Sequence, residues 1–186
     1  RNPCSATMMG RYRGMIDGNP GNRWALGKLL RCISVKALAR QYEKRIKRSP
    51  KNYNFRVVLG NLLMRLKKYD EAVKAFQGAV RVKPKKYLAH YRLAAAYRKL
   101  KKPEDARKAY EASLTRTQAK RLKKKILRSL IDLTIGRKNL KKARTYFVAL
   151  LKLAPRNRLL RLEFAQVLTR NLMYKQALAE YRKLLK

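Results

Sequence analysis

Residues 59–76 read LGNLLMRLKKYDEAVKAF and residues 93–110 read LAAAYRKLKKPEDARKAY, the same pattern displaced by 34 positions. In both stretches a small residue, Gly60 or Ala94, follows a leucine, and an alanine stands four positions before an aromatic ring. Internal similarity with a period of about 20 to 50 residues is typical of proteins that stack one small structural unit. The two stretches therefore predict a chain of stacked repeats.

The same pattern runs on to the end of the chain. A large aromatic residue recurs at spacings of 34, 37 and 34 positions, at Phe76, Tyr110, Phe147 and Tyr181. The longer step indicates an insertion within residues 115–123. Proline lacks an amide donor and disfavours helix just before it, so it is expected to end a helix at the close of a repeat. It stands in this place at Pro50, Pro84 and Pro155.

These residues resemble the tetratricopeptide repeat, which places a leucine, small residues, an aromatic ring and a closing proline at fixed offsets. The resemblance implies an all-α, right-handed superhelical solenoid of antiparallel helix pairs. We expect a turn-rich tail over 1–22, with at most a helical turn near 7–16, and a degenerate capping unit over 23–50. Four repeats follow in 51–186, at about 53–86, 87–120 plus the insertion, 124–157 and 158–186.

In such a stack the first helices line the concave face, where a partner is expected to bind. We therefore expect a noncatalytic scaffold that binds a peptide or helix of another protein. Its apolar positions suit a peptide and its cations suit carboxylates or phosphates, although each apolar residue could instead pack between repeats. The predicted positions are Asn54, Val57, Asn61, Met64, Leu88, Tyr91, Arg98, Lys125 and Arg128.

One subclass of the family grips the C-terminal carboxylate of a peptide with lysine, asparagine and arginine side chains. The corresponding positions match poorly here. Asn61 and Lys125 fit that pattern, but Val57 replaces a lysine, Arg92 an asparagine and Ser129 an arginine. A clamp of this type is therefore not expected.

The charge offers an alternative function, because 50 Lys and Arg against 10 Asp and Glu give a net charge of +40. Such a chain repels itself and attracts polyanions, so nonspecific binding of nucleic acid is the alternative to a protein partner. A surface whose charge has been altered is a further explanation. Basic pairs recur where the two helices of a repeat join, at Lys67-Lys68, Lys101-Lys102 and Arg137-Lys138. The densest run, which predicts phosphate contacts, contains Arg116, Lys120, Arg121, Lys123 and Lys124.

Catalytic and metal sites are not expected, since the chain has one histidine and two cysteines outside any metal-ligand spacing. We therefore expect no enzyme, no cofactor and no metal. His90 stands where the family usually has a large aromatic residue, so it is expected to pack between helices. Cys4 and Cys32 are either a loop thiol and a small apolar residue or one disulfide.

The sequence bears weakly on location. No apolar run is long enough to span a bilayer, so a soluble protein is expected. The cytoplasm is favoured, or export if Cys4 and Cys32 are bridged. The chain opens at Arg1 and stops before a closing proline, which is typical of a piece of a longer protein.

Overall fold

The computed structural model describes residues 2–135 and 139–185, in which eleven helices and no strand occur. The prediction of an all-α chain of helix pairs is confirmed. The chain divides into two compact units, unit 1 (Arg1–Arg116) and unit 2 (Thr117–Lys186), at the predicted insertion. The helices are α1 Ala6–Gly18, α2 Arg23–Leu29, α3 Val35–Arg48, α4 Tyr53–Arg65, α5 Tyr69–Val82, α6 Tyr87–Lys99, α7 Pro103–Arg116, α8 Lys120–Ile135, α9 Leu140–Leu153, α10 Arg158–Arg170 and α11 Tyr174–Arg182.

Unit 1 contains two regular helix pairs, α4 with α5 and α6 with α7. Helix α5 packs against α6, and α4 contacts both α3 and α6. The periodic residues that predicted this stack are buried, as Ala72, Phe76 and Ala106 are fully inaccessible to solvent and Tyr110 is nearly so. The aromatic rings thus fill the space between helices that the small residues keep close together.

Gly60 marks the closest fit between α4 and α5. A Cβ atom at Gly60 would lie 2.4 Å from Cε1 of Phe76, well inside van der Waals contact. The Phe76 ring is itself fully buried, so it has little room to move aside. Glycine is therefore required here by the approach of the ring.

Unit 2 repeats the arrangement, with α8 packed on α9 and α10 packed on α11. The ring of Phe147 on α9 stacks on Phe164 on α10, with centroids 4.7 Å apart. Helix α8 has 16 residues, whereas α4, α6 and α10 have 13 each. The three extra residues of the third repeat therefore lengthen its first helix.

The amino terminus differs from the sequence prediction, because the helix α1 occupies most of the expected tail. Ser5 accepts a hydrogen bond from the amide of Met8 and so caps this helix. Tyr12 and Ile16, four positions apart, are buried on one helix face in a core shared with α2, α3 and α4. Glycines at positions 10, 14 and 18 lie on open faces, where a Cβ atom would meet nothing within 4 Å.

A disulfide, a hydrogen bond and an ion pair hold α1 in place. A disulfide joins Cys4 to Cys32, the alternative that the sequence left open. Asp17 accepts a hydrogen bond of 2.6 Å from the Tyr42 hydroxyl and forms an ion pair of 2.7 Å with Arg45. Burial, together with this hydrogen bond to the Asp17 carboxylate, raises the pKa of the Tyr42 hydroxyl well above its usual range.

The turns that join α4 to α5, α6 to α7 and α10 to α11 share one geometry. Lys67, Lys101 and Leu172 adopt positive φ angles of 59°, 55° and 59°. In each case the amide of the next residue donates to the carbonyl five positions before it, at distances of 2.9 to 3.0 Å. This is the left-handed closure typical of helix ends, and it places Lys67-Lys68 and Lys101-Lys102 at equivalent turns. The third predicted basic pair, Arg137-Lys138, lies outside the described residues.

The contact between Gly60 and Phe76 is testable with two glycine substitutions. We expect Gly60→Ala to lower the free energy of unfolding by about 1–3 kcal/mol, because the added methyl group overpacks a buried ring. The matched control is Gly27→Ala in α2, where a Cβ atom meets nothing within 4 Å. At position 27 the helix preference for alanine should raise the free energy of unfolding by up to about 1 kcal/mol. Chemical denaturation measures both, and equal effects of the two changes would contradict the packing described.

Candidate functional site

The predicted partner face of unit 1 is formed by α4 and α6, and the chain's own N-terminal segment, residues 17–22, lies against it. The side-chain amide of Asn54 donates to the Asp17 carbonyl at 2.6 Å. That of Asn61 donates to the Pro20 carbonyl at 3.1 Å. Two side chains predicted to lie on the partner-binding face therefore hold the backbone of this segment.

The other predicted residues of unit 1 are used in different ways. Val57 is fully buried and offers no surface in this conformation. Leu88 lies beside the N-terminal segment, its Cδ2 atom 3.5 Å from where a Cβ atom on Gly21 would stand. The ring of Tyr91 packs edge-on against Tyr110, with centroids 5.8 Å apart. Arg98 is exposed near the end of α6.

Two predicted residues, Lys125 and Arg128, belong to unit 2. Both are exposed on α8. Arg128 Nη1 lies 3.4 Å from Glu163 Oε2, an ion pair between α8 and α10. The predicted set is thus divided between the two units, and the residues of α4 and α6 are the ones that share a face.

A pocket of about 430 Å³ opens where the N-terminal segment and α2 meet α4 and α6. Its most distinctive feature is three arginines with no carboxylate among the lining residues. Of the residues predicted from the sequence, only Asn61 and Met64 reach it. The lining residues are Pro20, Asn22, Arg23, Leu26, Asn61, Met64, Arg65, Arg92 and Ala95.

Arg92 is the unusual member of this pocket. It is half-buried, and its Nε atom is buried without a hydrogen-bond partner among the described residues. Burial lowers the pKa of its guanidinium, and the positive charge of Arg23 acts in the same direction. An oxyanion in the pocket would supply both the missing acceptor and the missing charge.

The sequence did not single out Arg92, Arg23 or Arg65 as site residues. Arg92 was visible only as the residue that replaces an asparagine of the carboxylate clamp. The other two come from α2 and from the end of α4. Only the path of the N-terminal segment brings Arg23 to this face, and no repeat pattern encodes that path.

A second polar feature recurs with the repeats. Six positions after each closing proline, a side chain lies at hydrogen-bond distance from the carbonyl of that proline. Arg56 bonds to Pro50 at 2.8 Å, His90 to Pro84 at 2.8 Å and Arg161 to Pro155 at 3.5 Å. A carbonyl only accepts, so Nε2 of His90 carries the proton and donates it.

The predicted phosphate run is also divided. Arg116 ends α7 in unit 1, whereas Lys120, Arg121, Lys123 and Lys124 lie in the first two turns of α8 in unit 2. Lys123 Nζ donates to the side chain of Gln118 at 3.3 Å.

Over the described ranges no group of three or more His, Cys, Asp or Glu is placed to hold a metal ion. Within those ranges no helix is long and apolar enough to cross a bilayer.

Comparison with known proteins agrees with this geometry. The sequence model of the tetratricopeptide repeat matches residues 38–84 and 57–120. Residues 38–120 are therefore similar to the tetratricopeptide repeat family. No curated protein matches it.

Solved structures with the tetratricopeptide repeat fold are similar over most of the chain. MamA aligns with a TM-score of 0.69 at 15% identity, over 95% of this chain and 90% of that one. YrrB, described as a TPR protein with an unusual peptide-binding site, aligns with a TM-score of 0.60 at 17% identity, over 78% and 74%. TTC0263, a thermophilic TPR protein of Thermus thermophilus, aligns with a TM-score of 0.55 at 19% identity, over 87% and 89%. These identities support the fold alone.

The burial of His90 predicts a pH dependence of stability, which the hydrogen bond to Pro84 partly opposes. Burial lowers the pKa of His90 in the folded chain, with Arg116 acting in the same direction, below the unfolded value of about 6.5. The unfolded state then binds more protons in this range, so the contribution of His90 is present above pH ~6.5 and lost as the pH falls through the folded pKa.

We expect His90→Gln, which keeps an N–H donor but does not titrate, to flatten this loss. Because His90 is the chain's single histidine, denaturant unfolding between about pH 7.5 and 5 isolates its effect. Identical pH profiles for the two proteins would show that the imidazole is not held neutral.

Proposed function

We propose that this protein is a noncatalytic scaffold that binds a peptide of another protein on the α4–α6 face of unit 1. The pocket around Arg92 receives an acidic group of that peptide. Tetratricopeptide repeats serve as protein-interaction modules, and YrrB is described as carrying a peptide-binding site. The observation that carries the proposal is a half-buried guanidinium with an unpartnered Nε atom in an open pocket.

Charge complementarity favours an acidic group. Arg23, Arg65 and Arg92 approach the same cavity, and none forms an ion pair with a described carboxylate. Bringing three guanidinium groups together without an anion is unfavourable, more so where burial weakens screening. A carboxylate that entered the pocket would gain charge-assisted hydrogen bonds and relieve this repulsion.

The remaining lining suits a peptide backbone and an apolar side chain. Asn22 and Asn61 carry amides that can bond to peptide groups, although Asn61 also donates to Pro20. Met64 and Leu26 provide apolar surface, and Met64 adapts to different partners because its side chain is unbranched and flexible. The predicted residues Leu88, Tyr91 and Arg98 lie on α6 and extend the proposed face.

The binding test begins with peptide ligands selected from a random display library on the immobilised chain. We expect the selected peptides to share an Asp or Glu, and Arg92→Met to weaken their binding by about tenfold or more, as for a hydrogen bond between charged groups. Replacing the peptide acid by its amide should weaken binding to the wild-type chain but not to Arg92→Met.

The matched control is Arg81→Met, which removes one exposed arginine from α5, outside the pocket. It should leave affinity nearly unchanged at moderate salt. If both arginine changes weaken binding equally, or if the peptide acid matters equally to wild type and Arg92→Met, general charge attraction is the cause and the pocket is not the site.

Arg92→Met also makes a prediction about stability. Removing a half-buried guanidinium without an ion-pair partner should raise the free energy of unfolding, by about 0.5–2 kcal/mol, because residues used for binding often reduce stability. Thermal unfolding in the absence of peptide measures this change. A lower melting temperature would mean that the guanidinium already has a favourable partner in the chain.

A further inference from the structure

We propose that unit 1 carries a second site, separate from the Arg92 pocket, that binds one nucleotide of a single-stranded nucleic acid. The site is a cavity of about 670 Å³ between the loop joining α5 to α6 and the end of α7. Four cations and two apolar rings line it. The residues are Lys83, Pro84, Lys85, Lys86, Tyr87 and Arg116.

The charge of the cavity is not neutralised by the chain. None of its lining residues is acidic, and Lys83, Lys85 and Lys86 form no ion pair with a described residue. Two of the three acids of the neighbouring helix α7 are engaged elsewhere, since Glu104 and Glu111 both pair with Arg107. Four positive charges around one cavity favour a ligand with at least one phosphate.

Arg116 is held in position for such a ligand. Its Nε atom donates to the Pro84 carbonyl at 2.9 Å, and its Nη1 atom donates to the Ala112 carbonyl at 2.7 Å. Both acceptors are neutral, so the guanidinium keeps its charge. Its Nη2 atom makes no hydrogen bond to the described residues. A planar fork fixed in this way is suited to a phosphate oxygen and loses little freedom on binding.

The rings of the cavity indicate what accompanies the phosphate. Tyr87 is 37% exposed, whereas Tyr53, at the same position of the preceding repeat, is 6% exposed and bonds to the amide of Ala89. Burial raises the pKa of the Tyr53 hydroxyl to about 12. Tyr53 is therefore part of the core, whereas the rings of Tyr87 and exposed Pro84 are open to a planar ligand. A nucleic-acid base stacks on such surfaces.

Lys86 is a further departure from the repeat. At the same position, Asn52 caps α4 and Asn157 caps α10, each accepting an amide hydrogen bond. Lys86 makes no side-chain cap to α6. Helix stability alone would favour asparagine there. The lysine gives up that contribution and adds a cation at the rim of the cavity.

A single strand fits these features better than a duplex does, because its bases are free to stack on protein rings while its phosphates meet the cations. The site also differs from the predicted phosphate run, of which it contains only Arg116, because the other residues of that run lie in α8. It uses a loop and two helix ends of unit 1 rather than an exposed helix face.

The test compares a fluorescein-labelled thymidine strand of about ten nucleotides with an abasic strand of equal length, by fluorescence anisotropy at several salt concentrations. We expect wild type to prefer the strand with bases. Tyr87→Ala should lose about 5- to 100-fold in affinity for that strand, as for loss of one stacked base, and should lose the preference. Tyr87→Phe should keep both.

The controls separate the site from the general charge of the chain. Lys85→Gln with Lys86→Gln should reduce the slope of log affinity against log salt by about 1.4, since each phosphate contact on a single strand contributes about 0.7. Lys101→Gln with Lys102→Gln removes the same charge from another turn of unit 1 and should reduce the slope less. Tyr174→Ala, which removes an exposed ring in unit 2, should leave the base preference intact.

Three results would overturn the proposal. The first is a base preference that survives in Tyr87→Ala, with helix content unchanged by circular dichroism. The second is an equal salt-slope change for the two lysine pairs, which would assign binding to the surface as a whole. The third is competition by inorganic polyphosphate that is equally strong against wild type and Tyr87→Ala, which would indicate general anion binding.

Discussion

Gly60 lets α4 lie directly against the ring of Phe76 on α5, and the arrangement of unit 1 depends on this contact. Because the ring fills the space that a Cβ atom would take, the backbone of α4 itself contacts the Phe76 side chain at this point. Helix α6 then stacks on α5, which aligns α4 and α6 side by side. The face that carries Asn61, Met64 and Arg92 is a product of that alignment.

The regular part of the fold was predictable because each of its contacts is encoded in a spacing. Ala72, Phe76 and Ala106 recur at fixed offsets, and all are buried as expected. The amino terminus was not predictable in this way. Its four glycines suggested turns, whereas the two buried residues Tyr12 and Ile16 were too few to establish a helical pattern. Helix α1 is stabilised by a tertiary core and a disulfide, which are contacts between residues distant in sequence.

The candidate sites were less predictable than the fold for the same reason. Asn54 and Asn61 were placed on the correct helix, but the segment they bind was not foreseen. Arg92 is a candidate site residue because it shares a pocket with Arg23, a proximity that the repeat pattern does not predict. The few acids of the chain contribute to this outcome, because several join one helix to another. Asp17 pairs with Arg45, and Glu180 with Arg161. Acids used in this way leave both cationic cavities of unit 1 without a carboxylate.

The contacts of Asn54 and Asn61 with residues 17–20 affect any peptide that needs the same two amides. The N-terminal segment belongs to the same chain, and the Cys4–Cys32 disulfide restrains it, so its effective concentration at α4 is about millimolar or higher. Under the proposed function, a peptide from solution would compete with it, and its apparent dissociation constant would be the intrinsic constant divided by the fraction of molecules in which the amides are free. Residues of α1 that touch no partner, such as Tyr12 and Ile16, would then change the affinity of this face through the occupancy of the segment.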